Sequence, residues 1–183
     1  MRTILASKSP RRRQLMEYLN IPFEVIVADI DEVIDPNNNL RKEIEKLSFL
    51  KALKVFENNS DAMVIGADTI VVVNNEVLGK PKNQDDAFRM LKMLQDNKHE
   101  VITGVTILTK DKSETFSTVS DVYFSKMSDE EIKEYINTNE TMDKAGAYAI
   151  QGIGSKFIKS INGDYYSIMG FPVNEIYNRL KNY

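Results

Sequence analysis

Three consecutive arginines, Arg11-Arg12-Arg13, follow Ser7-Lys8-Ser9-Pro10 at the point where the apolar run Ile4-Leu5-Ala6 ends. Ser9 is a good N-cap, and Pro10 suits the first helical position because the N–H that proline lacks would be unpaired there anyway. The arginines therefore fall in the first turn of a helix, where the macrodipole favours anions. Cations placed there cost stability unless an anion lies across the helix end and meets both the guanidinium forks and the free N–H groups. A phosphate chain is the simplest such anion, with Ser7, Arg11 and Arg12 as its candidate binders. The competing reading is a solvated basic turn.

Chemistry on phosphate also needs carboxylates. Asp68 interrupts the apolar run Val64-Ile65-Gly66-Ala67-Asp68-Thr69-Ile70-Val71-Val72-Val73, a setting where unpaired carboxylates are rare. It reads either as a local backbone cap or as a metal-binding or proton-accepting group at a strand end. Glu32, next to Asp31, is a second candidate oxygen ligand, since Mg²⁺ takes one or two carboxylates plus water. Lys80 stands in a turn between Gly79 and Pro81 and gains meaning if it meets the same anion as the arginines. Lys144 and Gln151 lie in Asp143-Lys144-Ala145-Gly146-Ala147-Tyr148-Ala149-Ile150-Gln151-Gly152, where small residues let backbone approach a ligand. An amide such as Gln151 offers one donor and one acceptor to the imide edge of a pyrimidine. His99, the only histidine, belongs to no triad or His/Cys metal cluster and reads as structural. Phe124, Tyr135, Tyr165 and Tyr166 have rings fit to stack on a base, but packing is the commoner fate.

The elements that position these residues follow from local pattern. Strands are expected at residues 2–6 and from Pro22 to Val27, with a helix at 10–19 between them. A longer helix from Leu40 to Glu57 precedes a β-branched strand from Met63 to Val73, and Asn74-Asn75 turns into Glu76-Val77-Leu78. A helix from Asp85 to Leu94 shows Ala87, Met90, Leu91 and Leu94 on one face. Val101 to Thr109 and Thr115 to Phe124 alternate like antiparallel partners. Ser128-Asp129-Glu130-Glu131 is a capping box that starts another helix. Short strands and tight loops are expected between Gly146 and Gly170, and a last helix after Pro172. This order points to an α/β fold with a mixed β-sheet, in two lobes around a central cleft.

The chain has 183 residues, 42% of them hydrophobic, enough for one well-buried core. A net charge of −3 argues against nucleic-acid binding. No apolar run reaches the roughly 20 residues of a membrane span, and the start lacks a signal-peptide core. With no cysteine, disulfides and thiolate metal sites are excluded, which fits a cytoplasmic location.

Taken together, Leu5-Ala6-Ser7, Ser9-Pro10-Arg11-Arg12, Gly66-Ala67-Asp68-Thr69, Gly79-Lys80-Pro81, His99 to Val105, Asp143 to Gly152 and Gly170-Phe171-Pro172 closely resemble the Maf family of nucleoside triphosphate pyrophosphatases. The resemblance spans residues 1–183 as a single domain. It implies a fold similar to inosine triphosphate pyrophosphatases and hydrolysis of a nucleoside triphosphate to the monophosphate and pyrophosphate with a divalent cation, Mg²⁺ or Mn²⁺. Arg11, Thr69 and Gln151 match specificity positions of the subgroup acting on dTTP and UTP. Asp68 matches the proton acceptor, and Glu32, Lys51 and Lys80 match polar residues of the catalytic pocket; Asp68 and Glu32 are the metal candidates. Leu50 stands where the family usually has a glutamate, and Phe171 where it usually has leucine. Housecleaning of nucleotide pools, a link to cell-division arrest and a homodimer belong to the same set of expectations. A non-hydrolytic nucleotide-binding regulator of septum formation is the alternative, and a phosphotransferase is disfavoured because no Gly-x-x-x-x-Gly-Lys-[Ser/Thr] pattern is present.

Overall fold

The apolar run that opens the chain forms β1 (Thr3–Ala6), buried along its whole length between β2 (Glu24–Val25) and β3 (Met63–Val73). Both pairings are parallel, with Ile4 beside Glu24 on one edge and Val64 on the other. Strands buried on both faces read as continuous hydrophobic runs, which is why β1 is visible in the sequence. The computed structural model describes residues 1–183. Its other strands are β4 (Glu76–Leu78), β5 (Lys98–Leu108), β6 (Ser113–Phe124) and β7 (Ile158–Asn162). The helices are α1 (Pro10–Glu17), α2 (Leu40–Phe56), α3 (Gln84–Leu94), α4 (Asp129–Ile136), α5 (Tyr165–Ile168) and α6 (Val173–Leu180). The strand order is β2-β1-β3-β5-β6-β7, with β4 antiparallel to the end of β3 and β7 antiparallel to β6. The sheet is mixed and the class α/β, as the alternation of elements predicts. No helix is long and apolar enough to cross a membrane.

Several boundaries differ from the sequence reading. The strand expected from Pro22 to Val27 shrinks to Glu24–Val25, both exposed, because Pro22 brings no donor to a ladder. Helix α1 stops at Glu17 with Tyr18 as its cap, and Asn20 takes a left-handed conformation (φ 54°) just beyond, a role asparagine tolerates. Both long strands β5 and β6 begin before Val101 and Thr115. The glycine-rich stretch resolves into 3₁₀ turns at Ala145–Ala147 and Ile153–Phe157, followed by β7 and α5.

The chain forms two compact units. The first comprises Met1–Thr69, Thr103–Thr118 and Tyr166–Tyr183. Within it, α2 seats on β3 and β5 through two glycines. A Cβ on Gly66 would lie 2.5 Å from the Ser48 carbonyl oxygen, and one on Gly104 2.5 Å from that of Ile44. Ile44, Ser48 and Ala52 are spaced by four and share one helix face, so the backbone of α2 lies directly on the sheet. Ile4, Ala6, Ala52, Val55, Ala62, Val64 and Leu108 close the core around that contact. Lys51, next to Ala52, is thereby carried to β3.

The second unit comprises Ile70–Ile102 and Val119–Tyr165. Here α3 buries Ala87, Met90, Leu91 and Leu94, the face its spacing predicts, and packs against α4. Ser128 and Glu131 form the expected capping box at the start of α4. Edge-to-face contacts link His99, Phe124 and Tyr148.

Candidate active site

In the first unit the turn before α1 is built by hydroxyls. Ser7 Oγ accepts the Ser9 N–H at 3.1 Å, and Ser9 Oγ accepts the Arg12 N–H at 3.4 Å, which makes Ser9 the N-cap. That cap sets the helix phase. Arg12 is turned inward while Arg13 stays exposed. The Arg12 Nε donates to the Gly170 carbonyl at 2.8 Å, and its Nη2 donates to Thr69 Oγ1 at 3.0 Å. The same Nη2 lies 4.0 Å from Asp68 Oδ1. Burial lowers the Arg12 pKa from its ordinary value, Asp68 and Glu32 oppose that drop, and the like charge of Arg11 adds to it.

Asp68 is the centre of the arrangement. Its Oδ1 accepts the Thr69 N–H at 2.9 Å and lies 3.2 Å from Lys51 Nζ, which also stands 2.7 Å from Glu32 Oε1. The Lys51 and Asp68 side chains are 9% and 12% exposed, against 45% for Glu32. The structure shows the local backbone bond of Asp68 and places the residue inside β3 rather than at a strand end, as a buried carboxylate held by cations. In such surroundings a charge pair interacts more strongly than on an open surface.

Thr69 has a fixed polarity. Thr103 donates its single hydroxyl proton to the Ser167 carbonyl at 2.8 Å. The Thr69–Thr103 hydrogen bond at 2.9 Å must then be donated by Thr69, since a hydroxyl has one proton and two lone pairs. With Arg12 donating to it, Thr69 Oγ1 has one acceptor position left and no proton to offer. The sequence reading gave no role to Thr103, Ser167 or Gly170; Thr103 and Gly170 lie in recognised segments, and Ser167 and Gly170 act through backbone carbonyls.

The donor set suits a divalent cation shared with a phosphate chain. Asp68 and Glu32 reach one common ammonium group, so their carboxylates converge, and Mg²⁺ is usually held by one or two carboxylates, waters and substrate phosphates. No group of three or more His, Cys, Asp or Glu side chains is arranged so that it could hold a metal ion.

Ser7, Arg12, Glu32, Lys51, Asp68 and Thr69 are thus brought together in the first unit, with Arg11 half-buried on α1. Lys80, Lys144 and Gln151 belong to the second unit. Lys80 is exposed beside Gly79, whose carbonyl accepts the Gly146 N–H at 3.1 Å. Lys144 Nζ donates to the Glu140 carbonyl at 2.8 Å and to Asp143 Oδ1 at 2.7 Å, while Gln151 is exposed. His99 is 1% exposed and its Nε2 pairs with the Tyr148 hydroxyl at 2.7 Å, a structural place. Phe124 and Tyr135 are buried, whereas Tyr165 and Tyr166 are partly exposed. Phe171 is fully buried, so that departure from the family pattern is an apolar packing change, whereas Leu50 is half-buried beside Lys51 and supplies no carboxylate there.

A family model described as "Maf-like protein" matches residues 2–183. The dTTP/UTP pyrophosphatase of Bacillus cereus strain G9842 is 46% identical over 180 residues, covering 98% of this chain and 94% of the relative. The protein of the same name from Bacillus thuringiensis subsp. konkukian strain 97-27 is 46% identical with the same coverage. Among solved structures, the Staphylococcus aureus Ham1 protein matches with a TM-score of 0.57 at 14% identity, over 100% of this chain and 99% of that one. A HAM1 protein from Coxiella burnetii matches at 0.56 and 11% identity, with both chains fully covered. These structural likenesses establish the fold alone.

Proposed function

This chain belongs to the Maf family, and on that premise we propose that it is a nucleoside triphosphate pyrophosphatase hydrolysing dTTP and UTP to the monophosphate and pyrophosphate. The observation that supports the reading most is the placement of Asp68, a carboxylate held by Lys51 and near Arg12 on the same unit as the arginine-bearing helix start. The relatives' name supplies the substrate class.

In the proposed reaction water attacks the α-phosphorus and the bond to the bridging oxygen of the pyrophosphate breaks. Asp68 accepts the proton of that water, and Lys51 with the Thr69 N–H holds the carboxylate in place for the transfer. Charge that develops on the leaving pyrophosphate is met by Arg11, Lys80 and the positive end of the α1 dipole, with Ser7 shaping the turn that presents them. Asp68 and Glu32 would hold a Mg²⁺ or Mn²⁺, which would neutralise phosphate charge and make a water more acidic. Thr69 offers an acceptor and Gln151 an amide fork to the nucleotide, with Arg12 fixing Thr69 and Lys144 holding its own loop. The proposal extends to one domain over residues 1–183 and to a housecleaning role on the cytoplasmic nucleotide pool.

A panel of nucleoside triphosphates tests the reading. UTP and dTTP are expected to be turned over, with kcat/KM for GTP and ITP about 10²-fold lower, because a hydrogen-bonding pocket leaves its polar groups unpaired with the wrong base. Equal rates for GTP and UTP overturn the pyrimidine assignment. Tight binding of UTP without turnover favours a regulator instead.

A further inference from the structure

One carboxylate clamps the loop that carries Gln151. Glu140 Oε1 accepts the Ile153 N–H at 2.8 Å, and Oε2 accepts the Gly154 N–H at 3.0 Å and the Tyr135 hydroxyl at 2.6 Å. Tyr135, 1% exposed on α4, accepts in turn the Ala149 N–H at 3.1 Å. Backbone donors on both sides of Gln151 therefore end on this Glu–Tyr pair. The carboxylate is seated so closely that a Cβ on Gly152 would fall 1.7 Å from Oε1, so a side chain beside Gln151 would displace it. Lys144 ties the other end of the clamp, its Nζ donating to the Glu140 carbonyl. Burial pushes the Glu140 carboxyl up, but the Tyr135, Gly154 and Ile153 hydrogen bonds and the Lys144 charge outweigh it and hold it below the usual range. Its carboxylate is an acceptor-only group, and Ile153, Gly154 and Tyr135 all donate to it.

We propose that Glu140 is the positioning residue of the base-reading loop: with Tyr135 it holds the backbone on either side of Gln151, so that the amide meets the imide edge of uracil or thymine in one orientation. The inference rests on the reading of Gln151 as a base-selecting residue. A purely structural Glu140 would affect stability and leave the preference among bases unmoved.

The test measures kcat and KM for UTP and CTP separately in the wild type, Glu140→Gln, Tyr135→Phe and Gln151→Ala, with folding checked by circular dichroism. In Glu140→Gln an amide NH₂ faces at least one N–H or O–H donor. The loss is expected to fall on KM, and the UTP-over-CTP preference to drop about tenfold. Gln151→Ala should drop it as far, and the double variant no further. Glu140→Asp, which keeps the charge, should restore part of the preference. Tyr135→Phe shifts it in the same direction and carries the test if Glu140→Gln does not fold. A folded Glu140→Gln or Tyr135→Phe with wild-type preference, alongside a Gln151→Ala that has lost it, overturns the role of Glu140. Wild-type preference in Gln151→Ala itself removes the base-reading role of Gln151, and this inference with it.

Discussion

Replacing Asp68 by Asn is expected to lower kcat about 10³-fold, the scale of a positioned proton acceptor, while the protein stays folded. The substitution keeps shape and removes charge. The neighbours have other partners: Lys51 retains Glu32 at 2.7 Å, and Arg12 retains Thr69 and the Gly170 carbonyl. An asparagine oxygen can still accept the Thr69 N–H that Asp68 Oδ1 now holds at 2.9 Å. Lys51 keeps a carboxylate and Arg12 keeps two hydrogen-bond acceptors, which limits the cost of breaking the pair. Pyrophosphate release and a thermal melt on the same preparation check this. Near-normal turnover removes Asp68 from the chemistry, and lost turnover with a collapsed melting temperature assigns it to the fold.

Acid is expected to destabilise the protein through His99. The ring is 1% exposed, packed edge-to-face between Phe124 and Tyr148, and its Nδ1 has no hydrogen-bond partner. Burial pushes its pKa from 6.5 down to about 3. Between those values the unfolded chain binds a proton that the folded chain does not, so stability falls as the pH drops from 6.5 towards 3. Above 6.5 both states are neutral and the residue adds no pH dependence. The slope is at most about 1.4 kcal/mol per pH unit, which makes the loss between pH 7 and pH 5 about 2 kcal/mol. Urea midpoints at the two pH values, for the wild type and His99→Gln, measure it. The variant should lose about 2 kcal/mol less than the wild type over that interval. Equal losses show that another group carries the acid sensitivity.

What could be read from the chain depended on how local the cause was. The capping of α1 by Ser9 needs only neighbouring residues, and so do the apolar face of α3 and the capping box of α4; all three stand as read. The close seat of α2 on β3 left one trace, the glycine beside Asp68, because a missing side chain marks a close approach but not what approaches. Arg12 and Arg13 look alike in sequence, and only the helix phase set by the cap separates the buried guanidinium from the exposed one. Glu140 left no trace at all. Two of its partners are backbone N–H groups, which nearly every residue carries, and the third is a tyrosine hydroxyl whose partner sequence does not mark. The roles of Thr103 and of the Ser167 and Gly170 carbonyls were hidden for the same reason. Glu32 was visible only as one of two adjacent acids and Lys51 only through family resemblance, since the contacts that join them to Asp68 span distant segments.

The most direct measurement is hydrolysis of UTP in ¹⁸O-labelled water, followed by mass spectrometry of both products. Attack at the α-phosphorus, with Asp68 taking the proton of the water, places the label in UMP and leaves the pyrophosphate unlabelled. Label in the pyrophosphate, or release of UDP and inorganic phosphate, contradicts the account.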